Sequence, residues 1–202
     1  MSILDLEKKV LGTYRALDRQ IRNFQLRSGL RCGHHCGVCC DSSRVEATTL
    51  ECLPLAYAIF HRGREDVISL SIEKNLGEDD YRCVLYLPDS ENSGLGRCSW
   101  YPFRPLICRL FGYAVRKNKY GKLELSACRV MQDHLSENHG PILPDTLEHL
   151  KPPVYQSSFL RIACLDPATG FHLLPINHAL KEAMEYVHWH RPKTWSGYSK
   201  AA

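Results

Sequence analysis

Four thiols fall within nine residues, in Cys32-Gly33-His34-His35-Cys36-Gly37-Val38-Cys39-Cys40, and four more follow at Cys83, Cys98, Cys108 and Cys128. Thiolates are soft ligands that select zinc or iron–sulfur clusters. The N-terminus, Met1 to Lys9, carries acids early and has no apolar stretch of the kind an export signal needs. Thiols at this density in a chain read as cytoplasmic point to a metal centre rather than to disulfides. The candidate ligands are therefore Cys32, Cys36, Cys39, Cys40, Cys83, Cys98, Cys108 and Cys128.

The spacing within the knot suits that chemistry. Cys32, Cys36 and Cys40 stand at i, i+4 and i+8, and Cys39 is three beyond Cys36. In a tight loop at least three of them can face one point. Gly33 and Gly37 let the backbone come close and offer N–H groups to sulfur. Adjacent Cys39 and Cys40 are awkward for one ion. Either they serve two different centres, or one ligates and the other is spare; a disulfide between them would close a strained ring. His34 and His35 could ligate zinc, but thiolates are plentiful and an exposed loop is the plainer reading. His188 and His190 diverge on a helix end.

Five candidate ligands adjoin an arginine, at Arg31, Arg82, Arg97, Arg109 and Arg129, where chance placement of 16 Arg in 202 residues would give about one. Guanidinium groups can offset thiolate charge or donate to sulfur. Cys52, beside Leu53 and Leu55, and Cys164, in an apolar run, read as inert buried thiols. The formal net charge of +4 counts every thiol as neutral, so it gives no case for nucleic acid.

Elements must carry these residues. Residues 3–27 read as a helix capped by Ser2 and Asp5 and ended by Gly29. Its apolar stripe, Ile3, Leu6, Val10, Tyr14, Leu17, Ile21 and Phe24, is read as a docking face rather than a coiled-coil seam. Thr48 and Glu51 open a helix over 50–61, and 65–76 is a further helix closed by Gly77. Tyr81 to Leu87 is rich in strand formers, and 88–96 is turn-prone. Pro105 suits the start of a short helix carrying Cys108. Residues 113–116 and 123–127 form a hairpin that delivers Cys128. After Asp133 prolines replace metal-type cysteines, Ile176 to His190 is a last helix, and a polar tail with Trp195 and Tyr198 follows. The expected fold class is α+β: a small, irregular, mostly helical metal-centre domain with a short β-hairpin and an N-terminal docking helix. Its parts are 1–28, the cysteine-cluster domain 29–132, and a helical extension 133–202 packed on it. No apolar run approaches the roughly 20 residues of a membrane span.

The set as a whole resembles a known family. Cys32-x3-Cys36-x2-Cys39-Cys40 is followed by Cys83, then Gly96-Arg97-Cys98-Ser99-Trp100-Tyr101, then Arg104-Pro105-Leu106-Ile107-Cys108-Arg109, then Cys128. This is similar to the YkgJ-type cysteine-cluster family, described as a zinc- or iron-chelating domain, over roughly residues 30–130. The resemblance implies metal binding, with Tyr101, Arg104 and Arg109 supporting the ligands. The knot is also distantly similar to that of the flagellin lysine N-methylases, which implies an iron–sulfur cluster. Cys32-x3-Cys36-x2-Cys39 matches the spacing of radical S-adenosylmethionine enzymes as well, but Val38 replaces their aromatic and no glycine-rich nucleotide loop follows. The favoured cofactor is a [4Fe–4S] cluster serving electron transfer, cluster handling or a coupled protein modification. The alternatives are a structural four-thiolate zinc site and metal buffering or delivery. The partners expected are the metal or cluster and a protein.

Overall fold

In the computed structural model, residues 1–33, 36–42, 44–78, 80, 82–91, 95–128, 131–132 and 144–191 are described. The first helix, α1 (Ile3–Ser28), begins as its sequence dictates. The Ser2 hydroxyl oxygen accepts from the Asp5 N–H at 3.2 Å and the Ser2 O–H donates to the Asp5 carboxylate at 2.6 Å. It ends where Gly29 turns left-handed at φ 72° and donates its N–H to the Gln25 carbonyl. Every residue of the apolar stripe is buried in the chain's own core, together with Glu7.

Helix α2 (Thr49–His61) is buried from Thr49 through Ile59, as a helix apolar on all faces must be. Thr48 caps it, its hydroxyl oxygen accepting from the Glu51 N–H at 3.1 Å. Strand β1 (Glu46–Thr48) runs straight into this helix. Far along the chain, β6 (Leu173–Pro175) runs straight into α8 (Ile176–His190). The two strands pair antiparallel with Ala47 opposite Leu174, which lays α8 against α2 as the most extensive helix packing in the fold. Ala179, Leu180, Ala183 and Val187 of α8 are fully buried there. The last helix and the ribbon that leads into it thus build the same core as α1 and α2.

Helix α3 (Glu65–Gly77) lies beyond α2, with Gly77 as its last helical residue rather than a left-handed stop. The expected strand over 81–87 is confined to β2 (Tyr86–Pro88), paired with β3 (Gly96–Cys98). Tertiary contact overrides strand propensity here. Buried Asn177 accepts from the Val84 N–H and donates to the Arg82 carbonyl, pulling 82–84 onto α8. A 3₁₀ turn (Tyr101–Phe103) precedes α4 (Leu106–Leu110), with Pro105 at its cap. The hairpin β4 (Val115–Lys117) and β5 (Leu123–Leu125) forms as expected, turning at Gly121 with φ 77°. Three short helices, α5 (Pro144–Leu150), α6 (Tyr155–Ala163) and α7 (Pro167–Gly170), lead back to β6. The fold is mixed and mostly helical, with two-stranded antiparallel sheets. Cys52 is fully buried as expected. Cys164 is exposed, contrary to expectation, because the apolar run around it winds into amphipathic α6 and leaves it at the C-cap while Ile162 and Ala163 turn inward.

Five-residue α4 needs outside support, and Glu51 provides it by accepting from the Ile107 N–H at 3.2 Å. Glu51 is 1% exposed, and burial pushes its carboxyl from 4.5 up to about 7 against the opposing pull of the Ile107 and Thr48 N–H groups. A carboxyl with a raised folded pKa stabilises the fold fully below pH 4.5 and loses that contribution as pH rises through about 7. Urea unfolding of the reduced protein should lose on the order of 3 kcal/mol between those limits. Glu51→Gln should flatten most of that slope; an unchanged slope in the variant would assign it to other groups.

Candidate metal centre

The described residues of the knot fold back on two glycine carbonyls. Gly33 accepts from the Cys36 N–H, and Gly37 accepts from both Cys40 and Asp41. Gly37 also sits back to back with Gly96 of β3. A Cβ on Gly37 would lie 2.8 Å from the Gly96 carbonyl carbon and overlap the Tyr86 ring. Steric contact of this kind requires glycine and clamps the knot to the β2–β3 hairpin. Gly33 has no such demand, since a Cβ there would meet Cys36 at an ordinary 3.7 Å.

Docking the knot on this hairpin gathers thiols from four segments. Cys39 and Cys40 of the knot, Cys83 before β2, Cys98 at the end of β3 and Cys108 in α4 line one cavity of about 40 Å³. Its other walls include Leu55 of α2, Leu85, Trp100, Ile107 and Leu180 of α8. Such walls disfavour thiolate charge without a cation to balance it. Burial pushes the Cys83 thiol up to about 12 and raises Cys98 and Cys108 as well. The adjacent pair behaves differently. A hydrogen bond from Cys40 holds Cys39 down to about 7, with a smaller pull from Arg104, and the same bond followed by burial pushes Cys40 up.

Arg104 lines this cavity too. Its guanidinium lies 3.5 Å over the Tyr101 ring, and its Nε is buried without a hydrogen-bond partner among the described residues. It also opposes, in part, the rise that burial causes in the Cys98 and Cys108 thiols. A buried donor left unmade is costly, and an anionic sulfur centre is the partner its surroundings offer. The donor set therefore fits a thiolate-bound metal. Among the described residues no three His, Cys, Asp or Glu side chains close on a single ion-sized point; the thiols surround a space.

The arginines adjoining cysteine are mostly spent elsewhere. Arg82 bridges Asp80 at 2.8 Å and Asp41 at 3.7 Å, bracing the end of the knot to the Cys83 segment. Arg109 is 3% exposed, pairs with Asp18 of α1, and donates to the carbonyls of Arg104 and Pro102. It positions the ligand-bearing segment rather than a sulfur. Arg31 and Arg97 are exposed, and Arg129 lies outside the described residues. Among the described residues Arg104, which adjoins no cysteine, is the arginine placed in the cavity wall.

Cys32, Cys36 and Cys128 stand apart from the cavity's lining. Cys32 shares a hydrogen bond with Cys36, and its thiol is raised to about 12 by partial burial first, then by Cys36, Cys39 and Cys128. The Cys32 N–H donates to the Tyr113 hydroxyl at 2.8 Å, which fixes the start of the knot beside the β4–β5 hairpin that delivers Cys128. Sequence reasoning missed Tyr113, Asn177 and Asp18 as supports of the site, and no local motif marks them. Glu51 was visible as a cap of α2, but its reach to α4 was not. His34 and His35 lie outside the described residues. His188 tilts against Phe60 and His190 stacks on Tyr186, so the two imidazoles diverge.

Comparison with known proteins agrees with the thiol geometry. The profile of the CxxCxxCC family, described as a zinc- or iron-chelating domain, matches residues 31–129. No curated protein and no solved structure is found to match the chain. Among the described residues no helix is long and apolar enough to cross a membrane. The profile starts at the arginine before the knot and ends just past Cys128, so through residues 31–129 the chain belongs to the CxxCxxCC cysteine-cluster family of metal-chelating domains.

Proposed function

We propose that this protein holds a [4Fe–4S] cluster in the cavity beneath the knot, and that it serves electron transfer, cluster handling or a coupled protein modification. One observation carries the reading: five thiols line a single apolar cavity together with a guanidinium whose buried Nε has no partner among the described residues. A cluster held there would supply one-electron exchange. The chain's own residues do the rest. Thiols from the knot, Cys83, Cys98 and Cys108 supply sulfur, Arg104 offsets negative charge, and Leu85, Trp100 and Leu180 exclude water, which tunes a cluster's potential. The cavity's 40 Å³ is far below the roughly 300–1,000 Å³ of a pocket for an organic substrate, so this cavity itself leaves no room for one. All ten thiols are free, which suits a reducing, cytoplasmic setting. Residues 1–28, 29–132 and 133–202 are read as parts of one folded unit.

Structural zinc is the second reading. It is favoured by the shortness of the elements the thiols join, since β2, β3 and α4 span only 3, 3 and 5 residues. Closed all-thiolate zinc sites hold segments of this kind together for partner binding.

Purification without oxygen, followed by a visible spectrum and iron, sulfide and zinc analysis, should show a brown protein with iron and acid-labile sulfide. A colourless protein with stoichiometric zinc and no sulfide would sink the cluster reading. Cys108→Ala and Cys98→Ala should each lose metal or solubility, whereas Cys52→Ala should keep the full metal content. Its buried thiol faces the core, and its cost should be confined to stability, on the order of 1 kcal/mol. Equal metal loss from Cys52→Ala would abolish the division between ligand and core thiols.

A further inference from the structure

We propose that the outer face of α1 is a docking surface for the phosphate backbone of a nucleic-acid duplex, bound without regard to base sequence through Lys8, Arg15, Arg19 and Arg22. This goes beyond the metal reading and holds whichever metal the thiols carry.

The face is a single line of residues. Lys8, Gly12, Arg15, Arg19, Arg22 and Leu26 follow one another at spacings of 4 and 3, opposite the apolar stripe that α1 buries, and all of them are exposed. The cations of this line make no ion pair among the described residues. Asp18 is the one acid between Val10 and Leu30, and Arg109 holds it. Arg15 and Arg19 stand at i and i+4, where like charges destabilise a helix. Gly12 weakens the helix further relative to alanine, although a Cβ there would meet nothing within 4 Å. The packing of the fold thus explains neither the run of cations nor the glycine within it.

A cationic line of this length matches a polyanion. From Lys8 to Arg22 it covers roughly 21 Å at the helical rise, over which one strand of a duplex presents about six phosphates. Guanidinium groups bind phosphate oxygens bidentately, and Gly12 lets a strand approach the helix backbone between Lys8 and Arg15. A protein partner fits less well, because interface cores are apolar and poor in charge, and Leu26 is the single large apolar side chain on this line. Protein–nucleic-acid interfaces are more polar and far more positive. A single strand also fits less well, since it is held by stacking on aromatic rings, and both aromatic residues of α1, Tyr14 and Phe24, are buried. Net charge is silent on this point; the distribution of charge along α1 carries it.

The test uses the full chain as purified and follows the fluorescence anisotropy of a labelled DNA duplex of about 20 base pairs and arbitrary sequence, between about 50 and 200 mM KCl. Phosphate contacts from Lys8, Arg15, Arg19 and Arg22 should give a log–log salt slope of about −3.6, a roughly 150-fold loss of affinity across that range. Arg15→Gln, Arg19→Gln and Arg22→Gln should each make the slope shallower by about 0.9 while circular dichroism and metal content stay those of the wild type. Arg44→Gln, which removes an exposed cation outside α1, should leave the slope unchanged. A flat salt response of the wild type would overturn the proposal, and that arm needs no variant to fold. So would an equal change of slope from Arg44→Gln. Equal binding of poly-glutamate, or of phosphatidylserine vesicles, at the same salt would assign the face to an acidic protein or to a membrane and overturn it as well.

Discussion

A nearly buried guanidinium, Arg109, is the constraint on which the site depends. Its two arms and Nε reach Asp18 on α1 and the carbonyls of Pro102 and Arg104, and its plane lies 4.4 Å from the centre of the Tyr14 ring. The Tyr14 hydroxyl in turn donates to the Glu51 carbonyl at 2.8 Å, and the Glu51 carboxyl receives the N–H of Ile107. A closed circuit of polar contacts thus ties α1, α2 and the 102–110 segment together. A buried cation is tolerated only when its donors are satisfied, and removing one partner of such a set is strongly destabilising. Lysine could not replace it, since one point charge cannot serve a carboxylate and two carbonyls in a planar fork.

That circuit explains the role of Arg104. With its carbonyl taken by Arg109, the backbone at 104 is fixed, and its side chain packs over Tyr101 at the cavity wall. Two arginines five residues apart therefore divide the work. One commits each of its three nitrogens to structure, and the other keeps a buried donor unspent beside the thiols. A buried, unpaired Nε–H in an apolar wall makes sense beside thiolates, and it makes little sense for a plain core.

Most of the helical frame was legible in the sequence because it follows local rules. The stripe from Ile3 to Phe24, the caps at Ser2, Thr48 and Gly29, and the bounds of the last helix depend on periodicity and on residues within one turn. The hairpin at 115–125 was legible for the same reason. What was not legible depends on distant partners. The strand expected over 81–87 shrank because Asn177, remote in sequence, captures residues 82–84. Cys164 came out exposed because its apolar neighbours were a helix face and not a buried run. The excess of arginines beside cysteines was visible, but adjacency in sequence says nothing about which way a side chain turns. Arg82 and Arg109 found carboxylates instead. The candidate ligands could be named from residue type and spacing; their separation into neighbourhoods required the docking of Gly37 on Gly96.

The fold then falls into two regions of unequal self-sufficiency. The pair α2 and α8, with α1 and the β1–β6 ribbon, supplies most of one continuous apolar core, which Leu85, Trp100, Leu106 and Leu110 of the thiol-bearing segments join. The segments that carry the thiols have three-residue strands and a five-residue helix, lengths that are marginal in isolation. Beyond those apolar contacts, polar links through Arg109, Glu51, Asn177 and Tyr113 fix where they sit. Metal binding to thiols drawn from such segments is itself folding free energy, because the ligands are not preassembled in an unfolded chain. Helices supply a rigid floor, and the metal supplies the cross-links that short irregular elements cannot make for themselves. On this view the length of chain between Cys40 and Cys83 is no obstacle to a shared centre. It is filled by α2 and α3, and α2 lends Leu55 to the wall of the cavity that thiols from both sides of it line.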